Sequence, residues 1–332
     1  MPDTQRVAAI QMEGRVADLR YNIGQAGDLL ERALRGGAQI VALPEFFTTP
    51  IVLDERLFGC SVAEDNPALD MLKSLAVSHG AMIGGSYLAK RGEDVFNTYV
   101  LVDRDGTVHT HDKDLPTMVE NAFYAGGKDD GLVATSHSSV GIAVCWETIR
   151  TATVRRLRGK VDLMMTGSHW WSEPGWRFPR WAMDQTHRDN LKMMAAVPSR
   201  LSRMIGAPVL HAAHVGTVEG QFAITPNIRV GTKTRLMGET QIVNSGGTVL
   251  SRLGINDGAG VIMADIEIGQ VQHSLEPAQS FWSLDLPLTF RLFWAQQNAA
   301  TRPLYARAKT KGQLKAYAFE RNSIPQNTEM KL

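Results

Sequence analysis

The chain has 332 residues, 44% of them hydrophobic and 21% charged, with a formal net charge of +1. That composition supplies a large globular core and carries no basic block of the kind nucleic acid selects. Two cysteines are too few for a disulfide framework or a cysteine zinc site, no apolar run approaches membrane-spanning length, and the first residues lack the basic and long apolar regions of a signal peptide. The expectation is a soluble cytoplasmic protein whose partner is a small molecule, with neither a nucleic-acid nor a membrane partner.

In chain order, residues 7–12 read as a strand. Residues 18–35 carry Leu19, Ile23, Ala26, Leu30, Ala33 and Leu34 at helical spacing, stopped by Gly36-Gly37. A strand over 38–43 follows and delivers Pro44-Glu45 at its end, a βαβ opening that implies parallel strands with sites at their carboxyl ends. Asn66-Pro67 caps and starts a helix to about residue 78. Residues 81–88 and 98–103 read as strands, and Asp105-Gly106 turns the chain into a half-exposed strand over 107–113. The second half repeats the pattern: strand 139–145, helix 148–158, strand 161–166, and a helical stretch over 178–205 that Pro198 breaks or kinks. Strands are expected over 208–215, 239–243, 248–253 and 261–268, with a turn at Ser245-Gly246-Gly247. Two successive α/β halves favour two sheets packed face to face with helices outside. No low-complexity linker divides the chain, so one domain over 1–280 is expected, with a mixed, partly polar C-terminal extension over 281–332 suited to wrapping a neighbouring subunit.

Cys145 ends the apolar run Val140-Gly141-Ile142-Ala143-Val144, while Glu45 and Lys113 close two earlier strands. A thiol, a carboxylate and an ammonium at three strand ends suit covalent catalysis, although a cysteine in such a run is by default a small buried hydrophobe. The segments Pro44-Glu45-Phe46, His111-Asp112-Lys113-Asp114-Leu115-Pro116-Thr117 and Gly141-Ile142-Ala143-Val144-Cys145-Trp146-Glu147 resemble, in order and spacing, the three catalytic motifs of the nitrilase superfamily of carbon–nitrogen hydrolases. The likeness extends to Gly238-Glu239-Thr240-Gln241-Ile242-Val243 and covers roughly residues 5–270.

The resemblance implies an αββα sandwich, at least a homodimer, and a Glu45, Lys113, Cys145 site that uses neither metal nor cofactor. It also implies a second glutamate between the lysine and the cysteine, where Glu120 stands, orienting Lys113 or sharing a proton. The chemistry agrees. Breaking a carbon–nitrogen bond with a thiol needs a base, a cation for the developing negative charge and an acid for departing ammonia. Trp146-Glu147 resembles the nitrilase branch. Thr148 departs from that branch, as do Asp112 and Asp114, which replace residues usually Arg and apolar.

Five of the seven tryptophans, Trp146, Trp170, Trp171, Trp176 and Trp181, lie in one region. Trp146, Trp170 and Trp171 are therefore candidates for an aromatic wall around an apolar substituent. His109, His111, His211 and His214 show no metal-ligand spacing and read as strand or surface histidines. Three readings follow: a nitrilase forming a covalent thioimidate and then a thioester, an amidase or carbamoylase on the same residues, and a non-catalytic binding or assembly protein that keeps the scaffold.

Overall fold

A computed structural model describes residues 3–172 and 180–319. Trp176 and the side chain of Trp181 lie outside the described residues.

The first half contains β1 (Asp3–Glu13), α1 (Leu19–Arg35), β2 (Ile40–Ala42), α2 (Pro67–His79), β3 (Met82–Arg91), β4 (Asp94–Val102) and β5 (Val108–Asp112). In α1 the buried residues Leu19, Ala26, Leu30 and Ala33 recur every three, four or seven positions. Asp18 caps the first turn by accepting from the Tyr21 N–H. Each such leucine taken out of water contributes about 1.5–3 kcal/mol. The second half adds β6 (Leu132–Ala134), β7 (Ser139–Val144), α3 (Thr151–Leu157), β8 (Leu163–Ser168), α4 (Arg180–Ile205), β9 (Val209–Ala223), β10 (Arg229–Met237), β11 (Thr240–Val243), β12 (Val249–Leu253), β13 (Gly260–Ile268) and α5 (Leu288–Thr310).

The strands form one hydrogen-bonded series, β5-β4-β3-β2-β1-β9-β8-β7-β6, that folds into two layers. Along one edge of β1, Asp3 to Gln11 pair with β13, and only Gln11 to Glu13 reach β9. The facing edge of β9 is likewise occupied by β11 at Val209 to His211. The layers therefore meet at a corner and splay apart around a shared interior. Val7, Ala9, Ile40 and Ala42 from one layer pack there with Ile142, Val144, Leu163, Met165 and Leu210 from the other. On the outer faces, Ala8, Ile10 and Val41 pack with α1 and α2, while Ala143, Met164 and Val209 pack with α3 and α4. This is the expected αββα sandwich.

Strand direction brings the three motif ends together. β1, β2 and β3 are mutually parallel, and so are β7, β8, β9 and β1. β5 is antiparallel to β4, which is antiparallel to β3, so β5 points the same way as β2. The C-terminal ends of β2, β5 and β7, which lead into Glu45, Lys113 and Cys145, thus open on one edge of the sandwich.

Several elements differ from the sequence expectation. The strand expected over 208–215 continues to Ala223 as β9 and returns as β10, because past Val215 it pairs in a hairpin where Val218, Phe222 and Ala223 are buried among exposed polar residues rather than in one apolar run. The helix expected over 148–158 starts as a 3₁₀ turn, Cys145–Ile149, before α3. Pro198 lies inside α4 without ending it. The tail carries α5, whose Asn298 and Thr301 bond back to the turn at Met118 in the same chain. Among the described residues no helix is long and apolar enough to cross a membrane.

Candidate active site

Glu45, Lys113, Glu120 and Cys145 are all buried at the shared edge, none more than 2% exposed. Lys113 Nζ donates to Glu45 Oε1 at 2.9 Å and to Glu120 Oε2 at 2.6 Å. Carboxylate oxygens of Glu45 and Glu120 and the Cys145 Sγ all lie within 4.8 Å of one another. Those three groups could hold a metal ion, but the Lys113 ammonium bonds to both carboxylates at once and supplies the positive charge there.

The backbone at three points of the site is strained. Phe46, Met118 and Cys145 have φ of 55°, 52° and 54°, a region that side chains bearing a Cβ seldom enter. Phe46 follows Glu45, Met118 lies two residues before Glu120, and Cys145 is itself a site residue. Cys145 is thereby turned out of β7 as the first residue of the 3₁₀ turn, and Thr148 Oγ1 donates to the Cys145 carbonyl at 2.5 Å. Phe46 packs between the rings of Tyr124 and His169. Close backbone approach fixes Lys113: a Cβ at Gly126 or Gly127 would fall 2.1 or 2.2 Å from the carbonyl oxygens of Asp114 and Asp112. The Gly127 N–H donates to the Lys113 carbonyl.

Further donors hold the carboxylates. Asn97 Nδ2 donates to Glu45 Oε1 at 2.8 Å, and the His169 backbone N–H to Glu45 Oε2 at 2.9 Å. Glu120 Oε2 also accepts from the Thr117 N–H at 2.9 Å and from the Tyr124 hydroxyl. Burial raises the Glu45 pKa against the pull of Lys113, leaving it at about 7. Burial and then the Glu45 charge push the Cys145 thiol well above its ordinary value. Burial by itself would lower the Lys113 pKa, but Glu120 and Glu45 hold it well above the usual ammonium range. The resting set is a neutral thiol, a permanent cation and a carboxyl group poised near neutrality.

Behind these residues a second ionic cluster ties β5 to β7. His111 is fully buried, bonded to Glu147 Oε2 at 2.9 Å and to Asp129. Burial opposes its charge, yet Glu147 and Asp129 raise its pKa to about 10. Glu147 also accepts from the N–H groups of Val144, 2.7 Å, and Asp114, 3.0 Å, the residues next to the thiol and the lysine. His111 is therefore a strand histidine turned inward, the first of the two readings that its spacing left open. The two acidic departures are balanced: Asp112 pairs with Arg91, and Asp114 with Arg150 and Arg156.

The three tryptophans separate. Trp146 and Trp170 stack with ring centroids 5.4 Å apart, and Trp282 closes on Trp146 at 5.3 Å. Trp171 instead lines an open pocket and points its indole N–H at His169 Nδ1, 3.1 Å away. The Ile51 N–H approaches the other ring nitrogen of His169 at 3.2 Å. Burial and the neighbouring His214 hold His169 well below its ordinary pKa, so its ring is neutral and accepts from only one of these donors.

Compared with known families, the chain matches the carbon-nitrogen hydrolase family model over residues 6–274. The chain belongs to this family. Among curated carbon–nitrogen hydrolases it is similar to a bromoxynil-specific nitrilase of Klebsiella pneumoniae subsp. ozaenae, 25% identical over 73% of this chain and 65% of that protein. It is also similar to an omega-amidase of Danio rerio, 28% identical over 47% of this chain and 59% of that protein. The chain thus spans under two thirds of the length of these relatives. An amidase from Nesterenkonia sp. shares the fold, with a TM-score of 0.63 at 20% identity, covering 79% of this chain and 90% of that one. α5 lies beyond the residues that the family model matches.

Sequence reasoning did not single out Asn97, Tyr124, the His169 N–H, Trp282 or Asn298. His111 and Glu147 were named in the motif segments, without the ionic cluster that they form.

Proposed function

We propose that this carbon–nitrogen hydrolase converts a nitrile to a carboxylic acid and ammonia through a covalent cysteine intermediate. The observation that carries the reading is the buried Lys113 ammonium bonded to Glu45 and Glu120 with the Cys145 thiol beside both carboxylates. A neutral thiol needs a base at the moment of attack, and Glu45 has the position and the pKa for it. Sγ adds to the nitrile carbon while the thiol proton passes through Glu45 to nitrogen. Lys113 and the backbone N–H of Trp146 stabilise the charge on nitrogen as the thioimidate forms. One water, activated by Glu45, releases ammonia and leaves a thioester. A second water releases the acid and restores the thiol. Glu120 holds Lys113 in line.

A second reading is amide hydrolysis, in which the same thiol forms the thioester directly and ammonia leaves with the first proton. The omega-amidase relatives favour it, and Thr148 departs from the nitrilase pattern. Ammonia release from paired nitriles and amides separates the two. Turnover of nitriles supports the first reading, and turnover of amides alone overturns it in favour of the second.

The pH dependence has a fixed sign. Glu45 must be ionised to accept the thiol proton, so kcat/KM should rise tenfold per pH unit below about 7 and level off above it. A rate that instead falls with pH across this range contradicts Glu45 as the base. Glu45→Gln should remove this limb together with turnover.

A further inference from the structure

The pocket beside Trp171 opens between the loop after Glu45, the β9–β10 hairpin and the early turns of α5. Ile51, Leu53, Val119, Trp171, Phe222 and Phe293 supply apolar lining. Its lining adjoins the site without including Glu45, Lys113, Glu120 or Cys145. Val119 precedes Glu120 in the same 3₁₀ turn, Met118–Ala122. Ile51 and Trp171 both contact the ring of His169, whose backbone N–H binds Glu45. Phe222 and Phe293 present two rings with centroids 5.4 Å apart.

Among the described lining residues none is charged. Gln297 Nε2 already bonds to the Ala223 carbonyl and Thr234 Oγ1 to the Ser172 carbonyl, while the buried Thr232 Oγ1 has no partner. A carboxylate or ammonium entering here would lose its water and gain no counter-ion. An aryl or branched alkyl group would gain contact with the aromatic faces.

We propose that this pocket receives the organic substituent of the substrate, so the preferred substrates are nitriles or amides of uncharged aryl or branched aliphatic acids. This rests on the hydrolase reading above. The test compares kcat/KM for an aryl substrate, its carboxylate-bearing analogue and a two- or three-carbon substrate, in wild-type and Phe293→Ala protein. The aryl compound should exceed both others, and Phe293→Ala should lower the aryl-to-small ratio about tenfold, the effect of losing apolar contact in a pocket. An unchanged ratio, or equal use of the charged analogue, overturns the proposal. If no compound is turned over, the hydrolase reading fails separately. Calorimetric titration of benzonitrile and benzamide into Cys145→Ala protein then decides the pocket: binding lost on adding Phe293→Ala upholds it, and binding absent or unaffected refutes it.

A different observation concerns the turn that carries Glu120. Both backbone groups of the strained Met118 face α5: its N–H donates to Asn298 Oδ1 at 2.8 Å, and its carbonyl lies 2.8 Å from Thr301 Oγ1, whose single proton it shares with the Gln297 carbonyl at 2.7 Å. Asn298 Oδ1 also accepts from Asn121 Nδ2 at 2.8 Å. We infer that Asn298 and Thr301 are positioning residues, through which a helix outside the family-matched segment sets Glu120 against Lys113.

Asn298→Leu removes two contacts to the turn, and Asn298→Asp keeps an acceptor oxygen for both donors. The leucine variant should lose about tenfold in kcat with little change in KM, as expected for an effect confined to the reacting geometry. Its acid limb should fall below 7, because a displaced Glu120 no longer raises the Glu45 pKa. Asn298→Asp should recover most of the rate. A leucine variant with wild-type kcat and limb, or an aspartate variant equally impaired, refutes the inference. Thr301→Val, paired with Thr301→Ser, gives the same reading should Asn298→Leu fail to fold.

Discussion

Replacing Lys113 by methionine is expected to destabilise the protein by about 3–5 kcal/mol near neutral pH and to abolish turnover, because it strips the counter-ion from two buried carboxylates. Glu45 and Glu120 would then face each other in a buried site without a cation between them. The sign with pH follows. Burial and Glu120 already raise the folded-state pKa of Glu45 to about 7, and loss of Lys113 removes the main opposing influence. The folded variant then holds a proton that the unfolded chain gives up near the ordinary carboxylate value. Its stability is greatest at low pH and falls as pH rises. Urea denaturation at pH 5 and pH 8 checks this. The gap between variant and wild type should be wider at pH 8, and an equal gap at both would show that the lysine does not neutralise these carboxylates.

Cys145→Ala is expected to lower turnover by about three orders of magnitude or more while leaving the fold intact, since the reaction proposed here has no other nucleophile. The side chain lost is one sulfur atom in a buried site, so the cost in stability is modest, about 1 kcal/mol. Alanine bears the same left-handed strain at φ 54° as cysteine, and Cys145→Gly relieves it. A glycine variant more stable than the alanine variant, with both equally inactive, would separate the strain at this position from its chemistry. Retained turnover in either variant contradicts the thiol mechanism.

The sandwich and the motif ends at Glu45 and Cys145 were legible in the sequence because β2 and β7 are buried apolar runs and the chemistry stands where they stop. Lys113 follows the half-exposed β5 and was legible only through its motif. Other parts had no local signal. Asn97 reaches Glu45 from β4 in the same layer and the His169 N–H from the end of β8 in the other, a closeness that only the folded sheet creates. His111 alternates with His109 on β5, and nothing in that spacing says which faces inward. Burial with Glu147 and Asp129 decides it. The β9–β10 hairpin sets its buried Val218, Phe222, Ala223 and Leu236 among exposed polar residues without regular alternation, so its sequence carries no clear strand pattern. α5 exposes Leu288 and Leu292 while burying Gln297 and Thr301, which hides its amphipathic stripe from the sequence. The tryptophan cluster was visible as composition, but Trp282, more than a hundred residues away, completes its packing.

The measurement that tests the central claim most directly is the mass of the protein quenched during turnover of the best nitrile or amide. The account predicts an acyl or imidate mass on the peptide that contains Cys145, appearing with ammonia release and absent in Cys145→Ala. Turnover that leaves Cys145 unmodified under saturating substrate, and persists when it is replaced, would contradict it.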